Sequence, residues 1–192
     1  MSNVTVASWR LYKGAPTEPP DPVVQAAIDA AEEAVGDDCG RAFTVATTAT
    51  LRRFVAATSS PVLPIDDCTT VTLVTADGST VASTEYQLEP LNGIDAAGEA
   101  TPYTAIRLLN GACWPKRGGD AINAITATWG MAALPARYTE AVKIVTSDIL
   151  DQKDIRGGVA GFGEFGAVSV RDNRMVIKLL STLRRSKTRG MG

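Results

Sequence analysis

Two stretches of helical periodicity bracket a long stretch patterned as strands, and this switch of period limits the fold more than any other feature of the chain. In the first stretch Val24, Ile28, Ala31 and Val35 recur at helical spacing and form one apolar stripe. Asp21 is a good N-cap, Pro22 suits the first helical position, and Gly36 is the expected terminator. From Phe43 to about Trp129, Thr, Val and Ile dominate and turn residues recur. Strands are expected at Thr48–Val55, Val62–Ile65, Thr70–Thr75, Glu85–Glu89, Ala105–Leu109 and Ala121–Trp129. Asp77-Gly78 reads as a hairpin turn and Asn92–Pro102 as a surface loop. Pro135 opens the second helix, whose face is Ala141, Ile144, Val145, Asp148 and Ile149 and which ends near Asp151 or Lys153. A glycine-rich stretch, Gly157–Gly166, precedes a short strand at Ala167–Val170. A last helix follows, capped by Asp172 and striped by Val176, Ile177, Leu180 and Leu183.

The expected fold class is therefore α+β: a small helical bundle with an antiparallel β unit inserted between the first and second helices, plus extended termini. One domain spans 1–192, with 22–40 and 134–184 helical, 41–133 a β-rich insertion and 185–192 a flexible basic tail. Residues 1–21 read as irregular, because Pro16, Pro19, Pro20 and Pro22 crowd the segment. An arm carrying Trp9 and Tyr12 is expected to pack them either on its own domain or on a neighbouring subunit. Trp114-Pro115 and Trp129-Gly130 are expected to end strands and anchor the core.

Composition narrows the function. The chain contains 192 residues, 45% of them hydrophobic and 21% charged, an ordinary globular balance. No run is long and apolar enough to span a membrane, and the start lacks a basic segment followed by an apolar one, so neither a span nor a leader is expected. With His at 0, triads that use histidine and zinc sites that contain it are excluded. Cys39, Cys68 and Cys113 are far apart and form no CxxC pair, so reduced, buried thiols in a cytoplasmic setting are expected, with no metal. Adjacent acids such as Asp37-Asp38 and Asp66-Asp67 read as caps and solubilising groups. Gly161-Phe162-Gly163-Glu164-Phe165-Gly166 is formally GxGxxG, but a helix precedes it and a strand follows, the reverse of what dinucleotide binding needs. The loop instead presents Phe162 and Phe165, which need cover from a neighbouring subunit or from the chain's own β unit. No nucleophile, base and orienting group converge, so no enzyme activity and no cofactor are expected.

Charge is segregated although the net value is only −2. Every charge from Glu18 to Asp38 is acidic, and every charge from Lys178 onward is basic: Lys178, Arg184, Arg185, Lys187 and Arg189. Such a chain can attract copies of itself head to tail or dock unlike partners at its two ends. The basic tail suits nucleic-acid phosphates or an acidic protein groove, although no aromatics are interleaved for base stacking.

In order along the chain, Cys39-Gly40-Arg41-Ala42-Phe43, Arg52-Arg53-Phe54, Leu63–Asp67 with Val71-Thr72-Leu73, Asp77-Gly78, Tyr86-x-Leu88-x-Pro90, Pro102-Tyr103-x-x-Ile106 and Trp114 resemble head-to-tail connector proteins of long-tailed bacteriophages. Ile125–Gly130 is similar to that family's strand in degraded form, and the Gly161–Val168 loop and the Leu179-Leu180 helix complete a likeness running from about 22 to 184. The resemblance implies a virion neck adaptor, assembled in the host cytoplasm. It implies a homo-oligomeric ring, usually a dodecamer, with the portal protein above and the stopper or tail-completion protein below. Genomic DNA would pass through the lumen without specific binding, and no membrane is involved. On this reading Lys178, Arg184, Arg185, Lys187 and Arg189 are candidate portal contacts, and Phe162, Phe165 and Trp9 are candidate inter-subunit contacts. Another neck protein (stopper or tail terminator) and a nucleic-acid-binding module are the alternatives.

Overall fold

Element order follows the switch of period. In the computed structural model, which describes residues 3–45, 47–57, 60–94, 100–155, 170 and 172–185, the helices are α1 (Val6–Lys13), α2 (Asp21–Cys39), α3 (Ala136–Ile155) and α4 (Arg174–Leu180). The strands are β1 (Ala49–Phe54), β2 (Val62–Ala76), β3 (Ser79–Thr80), β4 (Tyr86–Glu89), β5 (Tyr103–Leu108) and β6 (Asn123–Trp129), with a 3-10 turn at Leu91–Gly93. The protein is α+β, with its antiparallel sheet inserted between the two long helices, as the periodicity predicts. The chain divides into two units, Met1–Arg41 with Leu134–Gly192, and Ala42–Ala133.

The helical unit corrects the expectation for residues 1–21, which hold α1. Thr5 is its N-cap, accepting the Ser8 N–H at 3.2 Å, and Gly14 ends it at φ 69°, donating its N–H to the Arg10 carbonyl at 2.9 Å. The prolines begin only after this stop, so they follow the helix without preventing it. α2 likewise runs past Gly36. Its terminator is Gly40 at φ 63°, where Gly40 N–H reaches Asp37 O and Arg41 N–H reaches Gly36 O, both at 3.2 Å. This pair of bonds is a Schellman motif, which needs the left-handed residue one step after the last helical one.

α3 buries Tyr138, Ala141, Val142, Val145, Ile149 and Leu150, a wider face than the expected stripe, because α1, α2 and α4 all pack against it. α2 contributes Val24, Ala27, Ile28, Ala31 and Val35 to the same core. The strand expected at Ala167–Val170 lies outside the described residues except for Val170, which is helical and buried.

The β unit is a 6-stranded sheet in the order β1-β6-β2-β5-β4, with β3 paired to the end of β2. The two strands expected on either side of Asp66-Asp67 are a single strand of 15 residues. Pro64 fits within it because the ladder to β5 slips there, from Pro64↔Ala105 to Cys68↔Tyr103, so the missing N–H falls at an irregularity. The β2–β3 hairpin turns at Asp77 (φ 47°) and Gly78 (φ 82°), both left-handed as a type I′ turn requires. One sheet face carries Leu63, Ile65, Cys68, Val74, Ile106, Ile125, Ala127 and Trp129 into a common cluster with Trp114. Both expected anchors are satisfied donors: Trp114 Nε1–H reaches Ile106 O at 3.1 Å and Trp129 Nε1–H reaches Thr50 O at 2.7 Å.

Candidate docking site at the C-terminal segment

The basic segment is positioned by a short helix with a strong cap. Asn173, one residue after the expected Asp172, accepts N–H bonds from Met175 (3.0 Å) and Val176 (3.3 Å). Its own Nδ2 donates to Asp148 Oδ2 on α3 at 3.0 Å, tying the start of α4 to its neighbour. Val176 and Leu180 are fully buried, while Ile177 and Leu183 are half-buried. Lys178 sits exposed in the last turn of α4, where a cation complements the carbonyl end of the helix.

Beyond Leu180 the chain folds back on the end of α2. Leu183 and Arg184 donate their N–H groups to Leu180 O, and the Arg185 N–H donates to Cys39 O at 2.8 Å. The Arg184 guanidinium reaches Asp38 Oδ2 at 2.9 Å, and Arg137 of α3 donates to Thr182 Oγ1 at 2.8 Å. The electrostatic logic is local. Asp37 and Asp38 lie in the last turn of α2, which has no basic residue of its own, and two acids at a helix C-terminus oppose the dipole. Arg184 supplies the missing cation from the other end of the sequence.

Segregated charge is thus partly used within one chain. Asp21 pairs with Arg10 at 2.6 Å, Asp38 with Arg184, and Glu32 Oε1 accepts the N–H groups of Asn3 (2.7 Å) and Val4 (2.8 Å). These pairings were hidden in the sequence, where only the runs of like charge are visible.

Trp9 is also committed inside its own chain. It is 1% exposed, and its Nε1–H donates to Ser147 Oγ on α3 at 3.1 Å. Of the two placements open to it, packing on its own domain is realised, and the buried ring leaves almost no surface for a neighbour. Leu11 at 87% and Tyr12 at 43% exposed are the apolar groups α1 turns outward. Phe162, Phe165, Lys187 and Arg189 lie outside the described residues.

Among the described residues no group of His, Cys, Asp or Glu is arranged to hold a metal ion. Burial pushes the Cys39 thiol up to about 11 and the Cys68 thiol up to about 12, so both are protonated and poor nucleophiles. No described helix is long and apolar enough to cross a membrane.

No protein-family model matches the chain, and no curated protein matches it. Chains of solved structures do, two of which follow. One chain from a structure described as "Neck of native GTA particle computed with C12 symmetry" is 19% identical, with a TM-score of 0.57 over 96% of this chain and 90% of that one. Another, from "Neck of empty GTA particle computed with C6 symmetry", is 20% identical, with a TM-score of 0.58 over 96% of this chain and 91% of that one. At these identities the likeness is one of fold, and in fold this chain is similar to chains of the GTA particle neck.

Proposed function

We propose that the protein is a structural subunit of the neck of a phage-like particle, a head-to-tail adaptor that forms a ring between portal and stopper. The observation that carries this reading is the fold likeness, across 96% of the chain, to a chain from a neck computed with C12 symmetry. A ring needs one surface to meet a different surface on the next copy, with a rotation that closes. In this reading the two units act as one connector domain and twelve copies surround the passage for the genome.

The C-terminal segment is the portal-facing element of the proposal. Arg184 is held to Asp38 and the Arg185 N–H to Cys39 O, and Lys178, Arg185, Lys187 and Arg189 are the bases assigned to the portal. Charge-assisted bonds from these bases to carboxylates would give the docking its orientation. Phe162 and Phe165 are assigned to the seam between copies.

The test is truncation after Arg185, which keeps the Arg184–Asp38 pair and the Arg185–Cys39 bond. The truncated protein is expected to keep its circular dichroism spectrum and melting behaviour while filled heads fail to acquire tails. Normal tail attachment by the truncated protein refutes the portal role of the tail. Imaging of the complete particle tests the adaptor position itself, and density for this chain below the stopper would assign it to another neck component.

A further inference from the structure

The β unit has two open edges that differ in charge. β1 and β4 end the strand path, and no described strand lies beyond either. β1 carries Arg52 and Arg53, with Leu51 (55% exposed) and Val55 (48%) beside them. Glu85, whose carbonyl extends the β4 ladder by accepting the Leu109 N–H at 2.9 Å, and Glu89 make the other edge acidic. Leu91 (61% exposed) and Ile94 (55%) follow directly.

The register shows which of these groups share a face. Leu51, Thr126 and Leu73 form one row, and Arg53, Ala124 and Thr75 the next, both on the face opposite Ile125 and Val74 of the core. On β4, Tyr86 and Leu88 pack on the core, so by alternation Glu85, Gln87 and Glu89 project to that same opposite face. Arg52 is already paired with Asp66 at 2.6 Å, and Glu89 with Arg107. Arg53 and Glu85 are exposed charges at the two edges, the Glu85 carboxylate also accepting the Ala82 N–H at 3.0 Å.

Among the described residues the two edges are not paired with one another. The row through Leu88 and Ile106 meets β2 at Leu63, whereas the row through Leu51 and Thr126 meets it at Leu73. Along an extended strand those two positions are roughly 33 Å apart. A further strand partner for either edge would come from outside the unit.

Charge selects which partner. Every neighbouring pair on the path is antiparallel, so β1, β2 and β4 run in the same direction. A dyad that paired β1 with β1 would join two basic edges, and one that paired β4 with β4 would join two acidic edges, both unfavourable. β1 of one copy beside β4 of the next brings the unlike charges together. We propose that this sheet joins copies of the chain head to tail, the basic β1 edge of one copy meeting the acidic β4 edge of its neighbour. This rests on the ring reading and names a contact within it.

The test uses the full chain and the variants Arg53→Glu, Glu85→Arg and the two combined, each checked by thermal melting. Sedimentation velocity across a concentration series, at low and high salt, measures self-association. Each single reversal is expected to weaken association about tenfold, and the combined variant to recover most of the loss. Single reversals that associate like the parent, a combined variant no better than either single one, or a parent still monomeric at concentrations on the order of millimolar overturns the proposal. Particle images of the same samples separate the two readings. Closed rings indifferent to the reversals leave the ring and overturn this contact, while open chains that respond to them support the contact and overturn the ring.

Discussion

Replacing Trp9 by Ala tests whether α1 is part of the folded helical unit or an arm available to a neighbour. The ring is 1% exposed, and its indole N–H donates to Ser147 Oγ. A buried tryptophan covers about 150–250 Å², which at about 25 cal/mol/Å² corresponds to roughly 4–6 kcal/mol, an upper bound because the unfolded chain already buries some of it. Loss of the hydrogen bond adds about 1 kcal/mol. A limit acts in the other direction. α1 has only 8 residues, and its remaining ties include the surface pairs Arg10–Asp21 and Lys13–Asp151, so it can swing away without leaving a cavity. The expected destabilisation of the helical unit is therefore about 3–5 kcal/mol, within the range for large buried aromatics. Trp9→Phe, which keeps a ring and removes the donor, should cost about 1–2 kcal/mol. Urea unfolding followed by far-UV circular dichroism measures both. A loss below about 1 kcal/mol for Trp9→Ala, with an unchanged denaturant slope, would refute the packing argument and return Trp9 to the list of candidate inter-subunit contacts.

The Arg184–Asp38 pair is partly exposed, at 40% and 21% of the two side chains, so a double-mutant cycle to Ala should give a coupling of about 0.5–1 kcal/mol that shrinks in high salt. Strictly additive single losses would remove it as an anchor. Gly40→Ala forces a Cβ into the left-handed φ of 63° and should cost about 1–2 kcal/mol, read as a lowered urea midpoint, whereas Gly36→Ala inside α2 should be neutral or slightly stabilising. Buried neutral thiols tie stability to alkaline pH. Cys39 and Cys68 are raised from an ordinary 9.0 to about 11 and about 12 in the fold, so their contribution is complete below pH 9.0 and declines as pH rises through the folded values. Unfolding midpoints that stay flat from pH 9.0 to 11 would contradict this, as would rapid alkylation of more than the exposed Cys113 near pH 8.

What the amino-acid sequence determined was local. The stripe of α2, the Asp77-Gly78 turn and the strands of the β unit depend largely on residues a few positions apart, and these are found in place, the two strands around Asp66-Asp67 joined as one. Even α1 is marked locally, since Thr5 and Gly14 bracket it and the four prolines all come after Gly14. Only the tertiary structure decided what long-range pairing decides. Pro64 sits within a continuous strand because β5 slips register beside it. Trp9 turns inward because Ser147 and the face of α3 receive it. The acidic and basic runs looked like surfaces for other molecules, yet Arg184 reaches Asp38 across most of the chain's length. A run of like charge records composition along a line, whereas the partner of each charge depends on which distant backbone segments the core brings within a few ångströms, and no local pattern encodes that distance.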